Sequence, residues 1–236
     1  MANVLPQITG LKRVALDLLF PRWCIGCGKE GDYICRACRE LMPVITPPIC
    51  PVCGRPNSQG SVCPDCRDTR AQLDGVRALF VFDGIIRQAI HELKYRNLRA
   101  LAPAMAGWLY DYLVEYPLPA DVLVPVPLHH KRLRDRGYNQ SALLAGELGR
   151  LSGLSVAADS LVRHLYASPQ ARSAGVSERQ RNVADAFTCP DRRFDGQRVL
   201  LIDDVSTSGA TLNACAGALR SAGAVQVWGL VVALEL

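Results

Sequence analysis

At 236 residues, with 49% hydrophobic side chains, 21% charged side chains and a formal net charge of +5, the chain can bury a sizeable core and is not disordered throughout. Its best apolar stretch, Val227 to Leu234, falls short of the roughly 18–20 residues that a spanning helix needs, which excludes an integral helical membrane protein. The first residues place Lys12 and Arg13 after a mixed stretch, break their apolar segment at Asp17 and offer no small-residue cleavage site, so the expected compartment is the cytoplasm.

In chain order, residues 1–20 read as a helical segment, and Val14 to Trp23 as an amphipathic element expected to dock on the protein's own body. Eight of the ten cysteines follow in four Cys-x-x-Cys pairs: Cys24/Cys27, Cys35/Cys38, Cys50/Cys53 and Cys63/Cys66. Such pairs aim two thiolates at one point, which suits a tetrahedral zinc ion better than disulfides in a reducing compartment. An Fe–S cluster or redox thiols are the alternatives. The first pair, Cys24-Ile-Gly-Cys27-Gly28, recurs 26 residues on as Cys50-Pro-Val-Cys53-Gly54, an internal repeat. Residues 21–70 therefore read as a double zinc ribbon with two zincs, one held by residues 24–38 and one by 50–66. The Pro-rich stretch Pro43 to Pro56 separates the ribbons. Each four-thiolate site carries a net of about −2, so two bring the formal +5 down to about +1. Nucleic-acid binding must then come from local patches. Arg22, Arg36, Arg39, Arg55, Arg67 and Arg70 supply one around the ribbons, nearly offset by Glu30, Asp32, Glu40, Asp65 and Asp68.

Residues 75–236 form the second expected domain, in which strands and helices alternate. Ala78 to Phe82 is strand-like, and Ile86, Ala89, Ile90 and Leu93 fall at i, i+3, i+4 and i+7, one face of a helix. A second helix is expected from about Leu98 to Tyr116, strands over Val122–Val126 and Ser155–Leu161, and a helix over Asn139–Leu151 between them. Strand Arg198–Asp203, helix Ala210–Ser221 and strand Val225–Leu234 complete the series. This alternation predicts an α/β fold: a parallel sheet flanked by helices, with the small double zinc ribbon before it. Ligands of such sheets bind at the carboxyl ends of strands, here just after Val126, Leu161 and Ile202.

After Ile202 stand Asp203 and Asp204, then the loop Val205-Ser-Thr-Ser-Gly-Ala-Thr211 opening a helix. Thr207, Ser208 and Thr211 offer hydroxyls, Gly209 leaves room for close approach, and the helix start points free N–H groups at the loop, a combination that suits a phosphate. Adjacent carboxylates beside a phosphate suit the cis hydroxyls of a ribose with a divalent cation near by. The alternative is a pair of carboxylates that cap a helix. No Gly-x-Gly-x-x-Gly and no Gly-Lys-Ser/Thr loop is present, so dinucleotide and nucleoside-triphosphate folds lose support.

This segment resembles the 5-phosphoribosyl-1-pyrophosphate (PRPP) binding signature of type I phosphoribosyltransferases. Thr207 stands where purine-salvage members carry an acidic residue, which points away from a purine acceptor. By resemblance, Asp203 and Asp204 would bind ribose hydroxyls beside magnesium, and Ser206, Thr207, Ser208, Gly209, Ala210 and Thr211 would wrap the 5-phosphate. With Leu93-Lys-Tyr95, the run Val124 to Gln140 and Arg179-x-x-Asn182-Val-x-x-Ala-Phe187, nearly the whole chain is similar to the ComF/GntX family, which joins a double zinc ribbon to a type I phosphoribosyltransferase domain.

The basic loop from His129 to Arg136 has a physical rationale of its own, since fixed cations stabilise departing diphosphate. Arg136 and Gly137 are the first choice, with Lys131, Arg132 and Arg134 as alternates and a solvated charge run as the alternative reading. Arg179 and Asn182 would close a long loop, from His164 to Arg181, as a lid. Two functions remain open. One is a Mg-PRPP-dependent transferase with an unidentified acceptor, linked by resemblance to competence and DNA uptake. The other is a sensor of PRPP or a related phosphoribosyl ligand whose ribbons bind nucleic acid, single-stranded DNA being the candidate, or a competence-protein partner.

Overall fold

The computed structural model describes residues 21–67, 71–164, 186–190 and 192–236. The N-terminal segment 1–20 and most of the expected lid, with Arg179 and Asn182, lie outside the described residues. The chain divides into two compact units, residues 1–42 and residues 43–236, with the cut between the two cysteine tetrads. In the first unit, a knuckle at Cys24–Cys27 is followed by a short helix α1 (Arg36–Glu40) carrying Cys38.

The second unit begins with the second ribbon, whose later knuckle includes helix α2 (Pro64–Arg67). A parallel five-stranded sheet follows, built from β1 (Gly75–Val81), β2 (Val122–Pro125), β3 (Ser155–Val156), β6 (Arg198–Ser206) and β7 (Gln226–Leu234) in the order β1-β7-β6-β2-β3. The strands β4 (Val162–Arg163) and β5 (Phe187–Thr188) form a separate antiparallel pair. Helices α3 (Gly84–Tyr95), α4 (Ala102–Glu115), α5 (His130–Arg136), α6 (Gln140–Ser152) and α7 (Ala210–Ser221) connect them.

Apolar period sets which face each helix buries. Ile86, Ala89, Ile90 and Leu93 of α3 are all buried, the face that their spacing predicts. Leu212, Cys215, Ala216 and Leu219 of α7 pack with Val199 and Leu201 of β6 and with Phe187 of β5 on one side of the sheet. Helices α4 and α6 pack against each other over the rest. Val199 to Ile202 are buried without a break, as a parallel strand covered on both faces requires.

Two expectations are corrected. Ser155–Leu161 is not one strand: pairing with β2 lasts only two residues, and the chain then leaves for the antiparallel β4/β5 pair. Strand β6 does not end at Asp203 but runs to Ser206, because β7 continues to pair alongside it, Val205 with Ala233 and Ser206 with Leu234. Ladder pairing there overrides the poor strand propensity of Asp and Ser.

The outer edge of β1 is covered from within the same unit. Ile45 N donates to Leu79 O at 2.8 Å and Val81 N to Pro43 O at 2.8 Å, so residues 43–45 run antiparallel to the strand. Val76 N donates to Val52 O of the second knuckle at 2.8 Å. An edge that would otherwise offer free N–H groups is thereby closed.

Candidate functional site

The two ribbons are repeats in geometry as well as sequence. In the first, Gly28 N donates to Cys24 O at 2.8 Å and Cys35 N to Cys24 Sγ at 3.4 Å; in the second, Gly54 N donates to Cys50 O at 3.0 Å and Cys63 N to Cys50 Sγ at 3.4 Å. Trp23 bridges Glu30 in one, and Ile49 bridges Pro56 in the other. In each tetrad all four sulfurs lie within 4.8 Å of one another. The Cys27–Cys35 and Cys53–Cys63 pairs are both at 3.7 Å. Zinc–sulfur bonds of about 2.3 Å in a tetrahedron give edges of about 3.8 Å, so both tetrads fit zinc.

A second site follows from topology. From β2 the chain moves outward to β3, whereas from β6 it moves the other way to β7, so the sheet order reverses between β2 and β6. The carboxyl ends of those strands flank the crevice where such sheets bind ligands. Val126 N donates to Ile202 O at 3.0 Å, which sets the end of β2 level with the acid pair.

Successive strand residues alternate sides, and the two carboxylates meet different partners. Asp204 is 2% exposed, and Lys94 Nζ at the end of α3 lies 2.8 Å from its Oδ1. Its Oδ2 is buried and has no hydrogen-bond partner among the described residues. Half-buried Asp203 accepts on Oδ1 from Ser141 Oγ at 2.6 Å and from Asp204 N at 2.9 Å. Burial, reinforced by the adjoining Asp204 carboxylate, pushes the Asp203 carboxyl up from its ordinary range to about 7.

The loop after β6 then turns through Gly209, at φ 74°, into α7. Thr207 and Ser208 are exposed, and Gly209, Ala210 and Thr211 half-buried. A Cβ on Gly209 would meet nothing within 4 Å, so the left-handed backbone, rather than packing against the protein, is what selects glycine here. Ala210 N donates to Ser208 Oγ at 3.4 Å, leaving the outer face of the turn to solvent.

Arg136 and Gly137 end α5. The Arg136 guanidinium lies 5.4 Å from the Tyr95 ring centroid and donates to Gln140 Oε1. Gly137 is the left-handed C-cap. His129 caps the start of α5, its Nδ1 accepting from Lys131 N at 3.3 Å, and burial together with the neighbouring His130 and arginines pushes its imidazole down toward the neutral form. Arg132 is half-buried, and Lys131 and Arg134 are exposed.

Two residues that contact the acid pair, Lys94 and Ser141, and the half-buried Arg163 escaped the sequence reading of the site. Lys94 belongs to the Leu93-Lys-Tyr95 run, and Tyr138 OH donates to the carbonyl of Leu93 in that run. Ser141 is held by Asn139, whose Oδ1 accepts from Ser141 N at 3.0 Å while its Nδ2 donates to Val126 O at 3.0 Å. Arg163, on β4, lies 5.2 Å from the Phe187 ring, and its Nε is buried without a hydrogen-bond partner among the described residues. Of the ribbon arginines, Arg36 pairs with Glu40 at 2.9 Å and Arg55 with Asp65 at 3.4 Å.

Fold and sites define a protein with two cysteine ribbons and a parallel α/β sheet that carries an acid pair and a hydroxyl-rich turn at its switch point. The double zinc ribbon domain family matches residues 15–67. Competence protein ComFC of Bacillus subtilis (strain 168) is 30% identical over 203 residues, 83% of this chain and 81% of the relative. Competence protein F of Haemophilus influenzae is 28% identical over 229 residues, covering 88% and 95%. The chain belongs to the ComF family. Among solved structures, the glutamine PRPP amidotransferase of B. subtilis in complex with ADP and GMP matches at 19% identity and TM-score 0.39 over 56% of this chain, which spans 26% of that one. Among the described residues, no helix is long and apolar enough to cross a membrane.

Proposed function

We propose that the chain binds Mg-PRPP in the crevice between β2 and β6 and acts as a phosphoribosyltransferase, displacing diphosphate from C1 of the ribose with an acceptor nucleophile. The observation that carries this reading is the acid pair, half-buried Asp203 and buried Asp204, followed, at a topological switch point, by a hydroxyl-rich turn that opens a helix. Ser206 to Thr211 would cradle the 5-phosphate through backbone N–H and hydroxyl donors. Asp203 and Asp204 would accept from the ribose hydroxyls, and the orphaned Asp204 Oδ2 fits the neighbourhood of a divalent cation. Bound magnesium would neutralise charge on the diphosphate. Arg136 and Gly137 would face the departing diphosphate, with Arg179 and Asn182 from the long loop.

Mg-PRPP at about a hundred times its Kd should stabilise the protein by about 2.7 kcal/mol, a rise in Tm of about 5–10 °C. Gly209→Val should abolish that rise, and Asp204→Asn should weaken PRPP more than inorganic phosphate. Diphosphate release from Mg-PRPP with a pool of bases, amines and cell extract tests turnover. PRPP protection that survives Gly209→Val would sink the assignment.

The sensor reading has one observation in its favour: Arg55 of the second ribbon donates to the carbonyl of Thr207 at 3.1 Å, a direct bond between ribbon and loop. The relatives' names refer to competence, which suits cytoplasmic handling of single-stranded DNA or a competence-protein partner by the ribbons. Binding of DNA through arginines would fall steeply with salt and survive Asp204→Asn; a flat salt response in a mobility-shift titration argues for a protein partner instead.

A further inference from the structure

The second cysteine tetrad joins two stretches of chain, residues 50–53 and 63–66, and Arg55 touches both. Its carbonyl accepts from Cys50 N at 2.8 Å, so its backbone belongs to the first knuckle. Its Nη1 donates to Asp65 Oδ2 at 3.4 Å, and Asp65 lies inside the second knuckle, between Cys63 and Cys66. Its Nη2 donates to the carbonyl of Thr207 at 3.1 Å, two residues before the Gly209 turn. One guanidinium therefore spans both halves of the metal site and holds the loop proposed to receive the 5-phosphate.

The platform under Arg55 is tied to the sheet. Val76 N donates to Val52 O at 2.8 Å, and Arg77 Nη1 donates to Pro51 O at 3.0 Å. Strand β1 is in register with β7, and β7 with β6. Movement of the knuckle relative to β1 would thus be felt at Thr207. Stability is a poor explanation for the fork, because the Arg55 and Asp65 side chains are 34% and 78% exposed and exposed ion pairs contribute little. The repeat offers a control: where the second ribbon has Arg55 and Asp65, the first has Lys29 and Ala37, a single ammonium and no acceptor.

We infer that Arg55 is a positioning residue for the Ser206–Thr211 loop, and that metal in the second tetrad, by fixing the two knuckles that orient Arg55, couples occupancy of that tetrad to anion affinity at the loop. The affinity half of the inference rests on the proposed PRPP reading; the loop-ordering half does not. A loop held in place before binding loses less entropy when the ligand arrives, so the link should appear in affinity as well as in loop exchange.

The test uses the full chain as wild type, Arg55→Ala, Arg55→Lys, Cys63→Ser and Cys24→Ser. Zinc content, amide hydrogen exchange of residues 206–211 and Kd for Mg-PRPP and for inorganic phosphate are measured. Arg55→Ala should keep two zincs, speed loop exchange about tenfold and weaken Mg-PRPP about five- to tenfold. Cys63→Ser should lose one zinc and reproduce both effects, and adding Arg55→Ala to it should change nothing further. Cys24→Ser should lose one zinc and leave loop and affinity at wild-type values. Arg55→Lys should fall between, since an ammonium cannot make the fork. Wild-type loop exchange in Arg55→Ala, or equal effects of Cys24→Ser and Cys63→Ser, would overturn the coupling. A wild type that binds neither Mg-PRPP nor phosphate overturns the functional reading, and the exchange data from Arg55→Ala then decide the coupling by themselves.

Discussion

The two ribbons share their knuckles, their backbone-to-sulfur bonds and the spacing of their cysteine sulfurs, yet only the second belongs to the compact unit of the sheet. The difference lies in what surrounds the knuckle. Gly28 of the first has open space where a Cβ would go, whereas a Cβ on Gly54 would stand 2.6 Å from the Val76 carbonyl oxygen. The two copies of the cysteine module thus share their ligand chemistry, while the second also closes the edge of the sheet. Equal cysteine tetrads need not have equal consequences.

The comparison breaks most visibly if a zinc ligand is removed from each ribbon in turn. Cys50→Ser should lower the main calorimetric transition by about 10 °C or more, because the unravelled knuckle uncovers the edge of β1 as well as losing its metal. Cys24→Ser should cost the same single zinc and leave that transition within about 2 °C, since the sheet lies in the other unit. Equal falls in Tm would end the distinction.

Glycine substitution sharpens it at smaller cost. Gly28 and Gly54 both have positive φ, 69° and 75°, so alanine at either is strained by about 1–2 kcal/mol. At Gly54 the contact with Val76 adds about 1–3 kcal/mol, because backbone cannot yield as a side chain would. The denaturant midpoint of the sheet transition should therefore be the same in wild type and Gly28→Ala and lower in Gly54→Ala. A smaller step is Arg77→Met, which removes the donor to Pro51 O and the cation 4.9 Å from the Trp228 ring centroid. A loss of about 1–2 kcal/mol, or about 2–6 °C, is expected in the sheet transition alone.

Much of this was legible in the sequence where the signal is local. Cysteine spacing announced the tetrads, and the i, i+3, i+4, i+7 pattern from Ile86 announced the buried face of α3. Asn139 marked the start of α6, where it is the N-cap. Residues 43–45 read as a separator because prolines punctuate them, yet the chain there pairs with β1 through groups that no local pattern selects. Lys94 and Ser141 escaped for a similar reason: their partners, Asp204 and Asp203, are 110 and 62 residues away along the chain, and only the closed sheet brings them together. The attachment of ribbon to loop through Arg55 spans 152 residues and leaves no periodic trace.

The remaining effect should ignore both ribbons and so serves as the internal control. Asp203 has its carboxyl raised to about 7 by burial and by Asp204, against about 3.9 in an unfolded chain. Between those values the folded state holds a proton that the unfolded state has released, so stability is fully present below about pH 4 and is lost as pH rises through about 7. Asp203→Asn removes this term. The ligand-free variant should match the wild type near pH 4 and exceed its Tm at pH 8, with the gap opening between. The same gap should open in a Cys24→Ser background, because the charges and dipoles that set it, namely Asp204, Lys94 and Ser141, all belong to the sheet unit. A gap that is flat from pH 4 to 8 would mean Asp203 titrates as an ordinary carboxylate, and the crowding of two carboxylates at the crevice would then lose its electrostatic role.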